Sequence, residues 1–218
     1  MPCLLTILTM KINLLKTSPD RAGRYYVQFE DETSMRLYRQ TVEDFGLYTG
    51  KELSDDEMAD LRRAAGQMSA KMRAVRIVSA SSVSKKDLQQ RLVQKGEDPL
   101  QAREAVQWMS DLNLLDDARV AEQVVARCVS KGYGLARAKQ ALYEKKIPKQ
   151  YWDAALEDYP DQLERIEDYL AAHLDSRSDA KQIKKAVDAL MRRGHSYGTI
   201  RRALNELRFD AEEFPEEY

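Results

Sequence analysis

Apolar positions along most of the chain recur three and four residues apart. Ala102, Ala105, Val106, Met109 and Leu112 form one such stripe, the spacing that gathers side chains on a single face of an α-helix. Trp152, Ala155, Leu156 and Tyr159 form a second stripe, and Ile200, Ala203, Leu204 and Leu207 a third. Asp116-Asp117 opens a further helix whose inner face is Val120, Ala121, Val124 and Val125, and another runs through Leu163, Ile166, Tyr169 and Leu170. The punctuation agrees. Ser84-Lys85-Lys86-Asp87 caps a helix that carries Leu88 and Leu92 and stops at Gly96, and Asp98-Pro99 supplies an N-cap and a first helical residue. Pro148 and Pro160 stand where two more helices are expected to begin. From about residue 66 the pattern is helical throughout.

The first forty residues read differently. Ile7, Thr9, Lys11, Asn13 and Leu15 lie in mixed alternation, and the breakers Thr17, Ser18, Pro19, Asp20 and Gly23 follow. Next come the aromatic and branched run Tyr25, Tyr26, Val27, Phe29, a turn at Asp31-Glu32-Thr33, and then Met35, Leu37 and Tyr38. Short runs of this kind predict a small antiparallel meander, which needs a helix against it to be stable. Two segments can supply one: Val42 to Leu47, ending near Gly46, and the helix through Met58, Leu61 and Ala65. The Ser-x-x-Glu spacing of Ser54-Asp55-Asp56-Glu57 makes a capping box for the latter.

Three helical segments resemble one another: Gln90 to Gly96, Gln140 to Lys146 and Asp188 to Gly194. Their central leucines are Leu92, Leu142 and Leu190, at nearly constant spacing, and each segment precedes a break and an apolar-striped helix. Such a period marks stacked supersecondary units, each covering apolar surface that its neighbour leaves bare. The predicted fold is mainly α: tandem three-helix repeats forming an elongated curved array, preceded by a small β-rich N-terminal segment packed on a helix. The expected divisions are 1–65 for the N-terminal part, 66–130, 131–175 and 176–209 for the three repeats, and 210–218 for an acidic tail, solvated or packed through Phe209 and Phe214.

Composition narrows the class. Apolar residues make up 43% and charged residues 33% of the 218, with few glycines and prolines, as in folded helix-rich chains with wide solvated faces. Cys3 and Cys128 are too few for a disulfide framework and are expected to be reduced thiols. The mildly apolar N-terminus lacks a basic leader and a small-residue cleavage site, and no run reaches the ~18 apolar residues of a membrane span. A cytoplasmic protein without membrane attachment is expected. No phosphate loop, nucleophile elbow, kinase signature or metal motif occurs. His173 and His195 have no ligand cluster around them, and Asp116-Asp117 fits helix capping better than acid–base work. The reading is of a protein that is not an enzyme and has no cofactor.

The block from Val83 to Ile147 resembles the core of the RecX family. It reads Ser84-Lys85-Lys86-Asp87-Leu88-Gln89-Gln90-Arg91-Leu92-Val93-Gln94-Lys95-Gly96, then Leu114-Leu115-Asp116-Asp117-Ala118-Arg119-Val120-Ala121, then Gly134 to Ile147. Phe45 to Leu53 is also similar to an extension found in Gram-positive-type members. The resemblance marks Leu92, Gly96, Leu115, Asp116, Asp117, Arg119, Ala121, Gly134, Leu142, Leu190 and Gly194 as structural signature positions. Three departures stand out: Ser79-Ala80-Ser81-Ser82 replaces an arginine-rich run, Val120 an aromatic residue, and Lys146 a common glycine. The family implies a non-catalytic modulator that binds the RecA nucleoprotein filament in DNA repair and the SOS response, inhibition of RecA being the expected direction.

Charge is segregated although the net is −1. Residues 62–96 carry nine basic and one acidic side chain, 127–149 seven and one, and 177–208 nine and three. Acidic stretches lie between them, and 210–218 is acidic too. Basic helices one repeat apart can track an anionic groove or be solvated faces paired with acidic neighbours. The candidate contacts are Lys85, Lys86, Arg91, Lys95, Arg137, Lys139, Lys184, Lys185, Arg192, Arg193, Arg201 and Arg202. Tyr133 and Tyr197 can stack on a partner or anchor loops, and Trp108 and Trp152 are expected in core or between units. The expected partner is the RecA filament, with single- or double-stranded DNA open as a second, and the protein is expected to be a monomer. The competing readings are a helical-repeat scaffold for another protein and a direct DNA-binding regulator.

Overall fold

The structure, a computed structural model, describes residues 9–19 and 23–207. Ile7, Cys3 and the rest of the segment before Thr9, together with Asp20, Phe209, Phe214 and the acidic tail, lie outside the described residues. The fold is mainly helical with a small antiparallel sheet near the N-terminus. The chain divides into two compact units. The first takes residues up to 81 together with Leu88–Leu114, and the second takes Ser82–Asp87 and the residues from 115 on.

In the first unit, β1 (Thr9–Thr17), β2 (Arg24–Phe29) and β3 (Ser34–Tyr38) form the expected meander. A fourth strand, β4 (Glu52–Ser54), pairs with β1 and gives the order β3-β2-β1-β4. At three residues β4 is too short to show a period in the sequence. One face of the sheet is apolar. Ile12, Val27, Phe29, Leu37 and Leu53 are fully buried on it, with Val42 of α1 (Arg39–Asp44) and Met58 and Leu61 of α2.

Helix α2 (Asp55–Ala80) runs for 26 residues without a break, so the division expected near residue 66 falls inside one helix. The capping box is present: the Glu57 N–H donates to Ser54 Oγ at 3.3 Å and the Ser54 N–H to Glu57 Oε2 at 2.8 Å. Farther along, α2 packs on α4 (Pro99–Asp111) through small residues. Ala70 and Ala74 are fully buried on α2, as is Ala102 on α4, and the Gln101 side chain fills the space that a Cβ on Gly66 would need. Between them in the sequence, α3 (Lys85–Gln94) buries Leu88 and Leu92.

The second unit holds two helical triplets. In one, α5 (Asp117–Ser130), α6 (Leu135–Glu144) and α7 (Trp152–Leu156) close over Val120, Ala121, Val125, Leu142 and Ile147. Trp152 lies at the edge of this core, with its Nε1–H donating to the Ile147 carbonyl at 3.0 Å. In the other, α8 (Leu163–His173), α9 (Ala180–Arg192) and α10 (Tyr197–Glu206) close over Ile166, Leu170, Val187, Leu190, Ile200 and Leu204. The grouping is phased one helix ahead of the one expected from the leucines: α5 packs with α6 and α7, and α8 with α9 and α10. A sequence period fixes the spacing of units and leaves open where each begins. Pro148 precedes a 3-10 turn, Lys149–Tyr151, as expected of a helix start. Pro160 does not start α8, whose N-cap is Gln162 and whose first N–H is held by Asp161.

The repeated leucines have a second task besides filling cores. Each lies three residues before the helix cap, and its carbonyl accepts the closing hydrogen bond of a left-handed stop. The Glu97 N–H donates to Leu92 O at 3.1 Å, Ile147 N–H to Leu142 O at 3.1 Å and His195 N–H to Leu190 O at 3.3 Å. The shorter partner bonds, Gly96 to Val93, Lys146 to Tyr143 and Gly194 to Met191, complete the motif. The residue at the stop has φ +90° at Gly96, +56° at Lys146 and +85° at Gly194. A left-handed residue with a Cβ costs about 1–2 kcal/mol, which is the physical reason glycine suits the position.

Gly194 carries an extra constraint. The Gly134 N–H donates to Arg193 O at 2.9 Å and the Ala136 N–H to Gly194 O at 3.2 Å. A Cβ on Gly134 would run into the Gly194 carbonyl, and one on Gly194 into the Arg137 backbone. Nothing lies within 4 Å of the corresponding position at Gly96. Gly96→Ala should therefore cost about 1–2 kcal/mol of conformational strain. Gly194→Ala should cost roughly 1–3 kcal/mol more through overpacking, read as a larger drop in the urea midpoint of the unit that holds it.

Candidate partner-binding site

The signature aspartates are engaged in structure. Asp116 is the N-cap of α5 and accepts from the Arg119 N–H at 3.0 Å. Asp117, 5% exposed, accepts from the Lys85 N–H at 2.8 Å. Ser84 is fully buried; its hydroxyl accepts from the Asp87 N–H at 3.1 Å and donates to Lys145 O at 2.7 Å. Asp87 is buried too, and Lys146 Nζ reaches it at 2.8 Å. The residue that departs from glycine thus holds a left-handed conformation and supplies the counter-ion of a buried carboxylate. These groups bind backbone and one another: Asp116 caps α5 as expected, whereas the Asp117 carboxylate holds the first N–H of α3.

Three of the predicted cations converge. Arg137 on α6 and Arg192 and Arg193 at the end of α9 line an open recess of about 360 Å³, together with Tyr133, Tyr169 and Ala189. The glycine contact between the start of α6 and the end of α9 brings them there. Arg193 lies over the Tyr169 ring at 4.8 Å, and that ring stacks on His173 at 4.1 Å. A guanidinium resting on an aromatic face is oriented at little entropic cost and keeps its planar fork of donors for a partner. Arg137 shares Glu144 at 2.9 Å and holds that carboxyl below the usual range. Lys131, which the sequence reading passed over, lies over Tyr133 at 5.9 Å. It also lines a neighbouring recess with Arg165, Arg193, Glu164 and Asp168.

The remaining candidates are not among the residues lining that arginine recess. Lys184 and Lys185 are exposed on α9, and Lys139 on α6, where it lines a separate recess with Ser196 and Thr199. Arg202 on α10 is exposed and lies 3.8 Å from Asp161, and Arg201 is half-buried. Lys86 and Lys95 are exposed, and Lys85 and Arg91 half-buried. Tyr133 is half-buried and lines the recess, and its backbone carbonyl accepts from the Tyr159 hydroxyl at 2.5 Å. Burial pushes that Tyr159 hydroxyl up to about 12. His195, 6% exposed, bonds through Nε2 to Gly132 O at 3.1 Å. Trp108 is partly exposed on α4 beneath Lys71, 5.4 Å from its ring. Among the described residues no group of three or more acidic, histidine or cysteine side chains could hold a metal, and no helix is long and apolar enough to cross a membrane.

Comparison with known proteins adds a family. Residues 116–156, which span α5 to α7, match the model of the second three-helix domain of RecX. The regulatory protein RecX of Clostridioides difficile is 28% identical over 204 residues, covering 90% of this chain and 94% of that one. That of Vibrio campbellii is 30% identical over 144 residues, covering 65% of this chain and 93% of that one. Two solved structures share the fold: a regulatory protein RecX with TM-score 0.63 and 18% identity, covering 90% of this chain and 99% of that one, and RecX from Lactobacillus salivarius with TM-score 0.55 and 23% identity, covering 66% and 97%.

Two measurements test the polar geometry. Lys146→Gly relieves left-handed strain yet leaves Asp87 buried without its cation, so it should destabilise the protein by about 1–3 kcal/mol. Adding Asp87→Asn should recover most of that loss, and additive effects in the double-mutant cycle would show that the pair is not coupled. Burial lowers the pKa of His195 in the fold, so the unfolded chain takes up the proton first. Stability of the second unit should fall as pH drops below about 6.5, the ordinary histidine value. His195→Gln should flatten that part of the curve.

Proposed function

The chain belongs to the RecX family of regulatory proteins, and on that premise we propose that it binds the RecA nucleoprotein filament and restrains its recombinase and ATPase activity without chemistry of its own. Family membership is the observation that carries this reading. The cationic surface of the second unit supports it, because Arg137, Arg192 and Arg193 meet in one open recess. Lys184 and Lys185 add exposed charge on the same helix as the last two. An arginine held by stacking, as Arg193 is on Tyr169, suits an anionic groove, where bidentate donors meet phosphate or carboxylate oxygens. The signature residues then serve as the frame that places these side chains. A monomer in the cytoplasm fits this role.

The purified protein should co-sediment with preformed RecA filaments and lower their ATP turnover. Reversing Lys184, Lys185, Arg192 and Arg193 to Glu should weaken filament binding by at least about tenfold, mostly through slower association at low salt. The thermal midpoint should change little, since all four side chains are exposed. Absence of filament binding by the unaltered protein would sink the proposal, and undiminished binding by a folded reversal variant would reject this surface.

A further inference from the structure

The sheet of the first unit has a second face. One face is the apolar core already described, and strand alternation sends the intervening side chains to the other. The pairing register places them in rows. Lys16 on β1 stands opposite Tyr26 on β2, which stands opposite Arg36 on β3. In the next row Arg24 stands opposite Tyr38, and on the other side Leu14, Gln28 and Ser34 align. A register shift between Ile12 and Leu14 makes this possible, since it turns Leu14 and Lys16 away from the core that holds Ile12 and Leu15. These rows therefore carry three cations and two tyrosines and no carboxylate; beyond the register shift the same face carries Lys11 of β1 opposite the exposed Glu52 of β4. Lys16 and Arg36 are exposed, while Tyr26 and Tyr38 are half-buried.

Two cations rest on the rings of this face, Lys16 over Tyr26 at 5.6 Å and Arg24 over Tyr38 at 6.0 Å. Both distances lie near the outer limit of such an interaction. A planar base can displace Lys16 from the Tyr26 ring, and the lysine can turn to a phosphate beside it. Aromatic faces set among lysines and arginines on an open sheet are the arrangement that holds unpaired bases by stacking and their backbone by charge. An acidic protein surface would use the cations and leave the tyrosines idle. A duplex would keep its bases stacked within itself.

We propose that the outer face of the N-terminal sheet binds single-stranded DNA, stacking bases on Tyr26 and Tyr38 and pairing phosphates with Lys16 and Arg36. The choice of DNA over RNA rests on the proposed action at a nucleoprotein filament; the surface itself does not depend on RecA. It differs from the arginine recess of the second unit in using aromatic faces as the binding element.

The test uses the full chain and no RecA, so its failure is separate from failure of the filament reading. A labelled oligodeoxythymidylate of about twelve nucleotides is titrated and followed by anisotropy at several salt concentrations. Tyr26→Leu and Tyr38→Leu, which keep an apolar side chain on the strand, should each weaken binding by about fivefold or more. They should leave the salt slope unchanged. Lys16→Glu and Arg36→Glu should each reduce the slope by roughly 0.7. Thermal unfolding confirms that each variant is folded. Duplex DNA, oligouridylate and polyglutamate should all compete less well than the unlabelled oligodeoxythymidylate. Unchanged affinity in both folded tyrosine variants overturns the proposal. So does competition by polyglutamate equal to that of DNA, which would point to an acidic protein partner, or tighter binding of oligouridylate.

Discussion

The left-handed helix stop is the constraint on which the helical part of this protein depends. A helix that must turn back on its neighbour within a few residues needs its last carbonyls satisfied and its chain reversed at once. The closure at Leu92, Leu142 and Leu190 does both, because the leucine that fills the core is also the residue whose carbonyl accepts the reversing bond. Core position and chain direction are thereby locked together. A shift of one residue along the helix would lose the buried side chain and the stop simultaneously. Asn113 and Gly132, also left-handed, close α4 and α5 with the same pair of bonds.

Charge is organised around this frame. The buried carboxylates Asp87, Glu97 and Asp117 are each held by a specific donor: Lys146, Arg73 and the Lys85 N–H respectively. Cations on the outer surface are set on rings, as with Arg193 on Tyr169 and Lys71 on Trp108. Buried acids with dedicated partners hold the fold, while the ring-oriented bases stay at the surface.

Much of this was legible in the sequence, and the exceptions have physical causes. The stripes at 102–109 and 120–125, the caps at Ser54, Asp98 and Asp116 and the repeated leucines report local geometry, which neighbours along the chain determine. The phase of the triplets is tertiary: whether α5 turns its apolar face to α4 or to α6 depends on packing that no local pattern states. The strand β4 is held by pairing with β1 and has no signal of its own. Lys146 stands where glycine is common, and its partner Asp87 lies 59 residues away in the sequence. Of the candidate cations, the sequence named those of the arginine recess without being able to group them. The rows on the sheet were hidden because a register shift near Asn13 breaks the alternation of β1. Asp179-x-x-Gln182 is a capping box that spacing alone would have revealed.

Helix α2 links two kinds of architecture in one piece of regular backbone. At 26 residues it is about 39 Å long. Its first turns cover the sheet with Met58 and Leu61, and its later turns meet α4. The apolar face of the sheet is closed by Met58 and Leu61, so the sheet shares the free energy of the helix that covers it. Opening of the sheet and fraying of the first half of α2 then become a single event in hydrogen exchange. Amides of Ile12 and Leu61, in different kinds of element, should share one protection factor. The sheet is thus an integral part of the first unit, and cutting the chain before Ser54 would strip a helix of its reason to begin where it does.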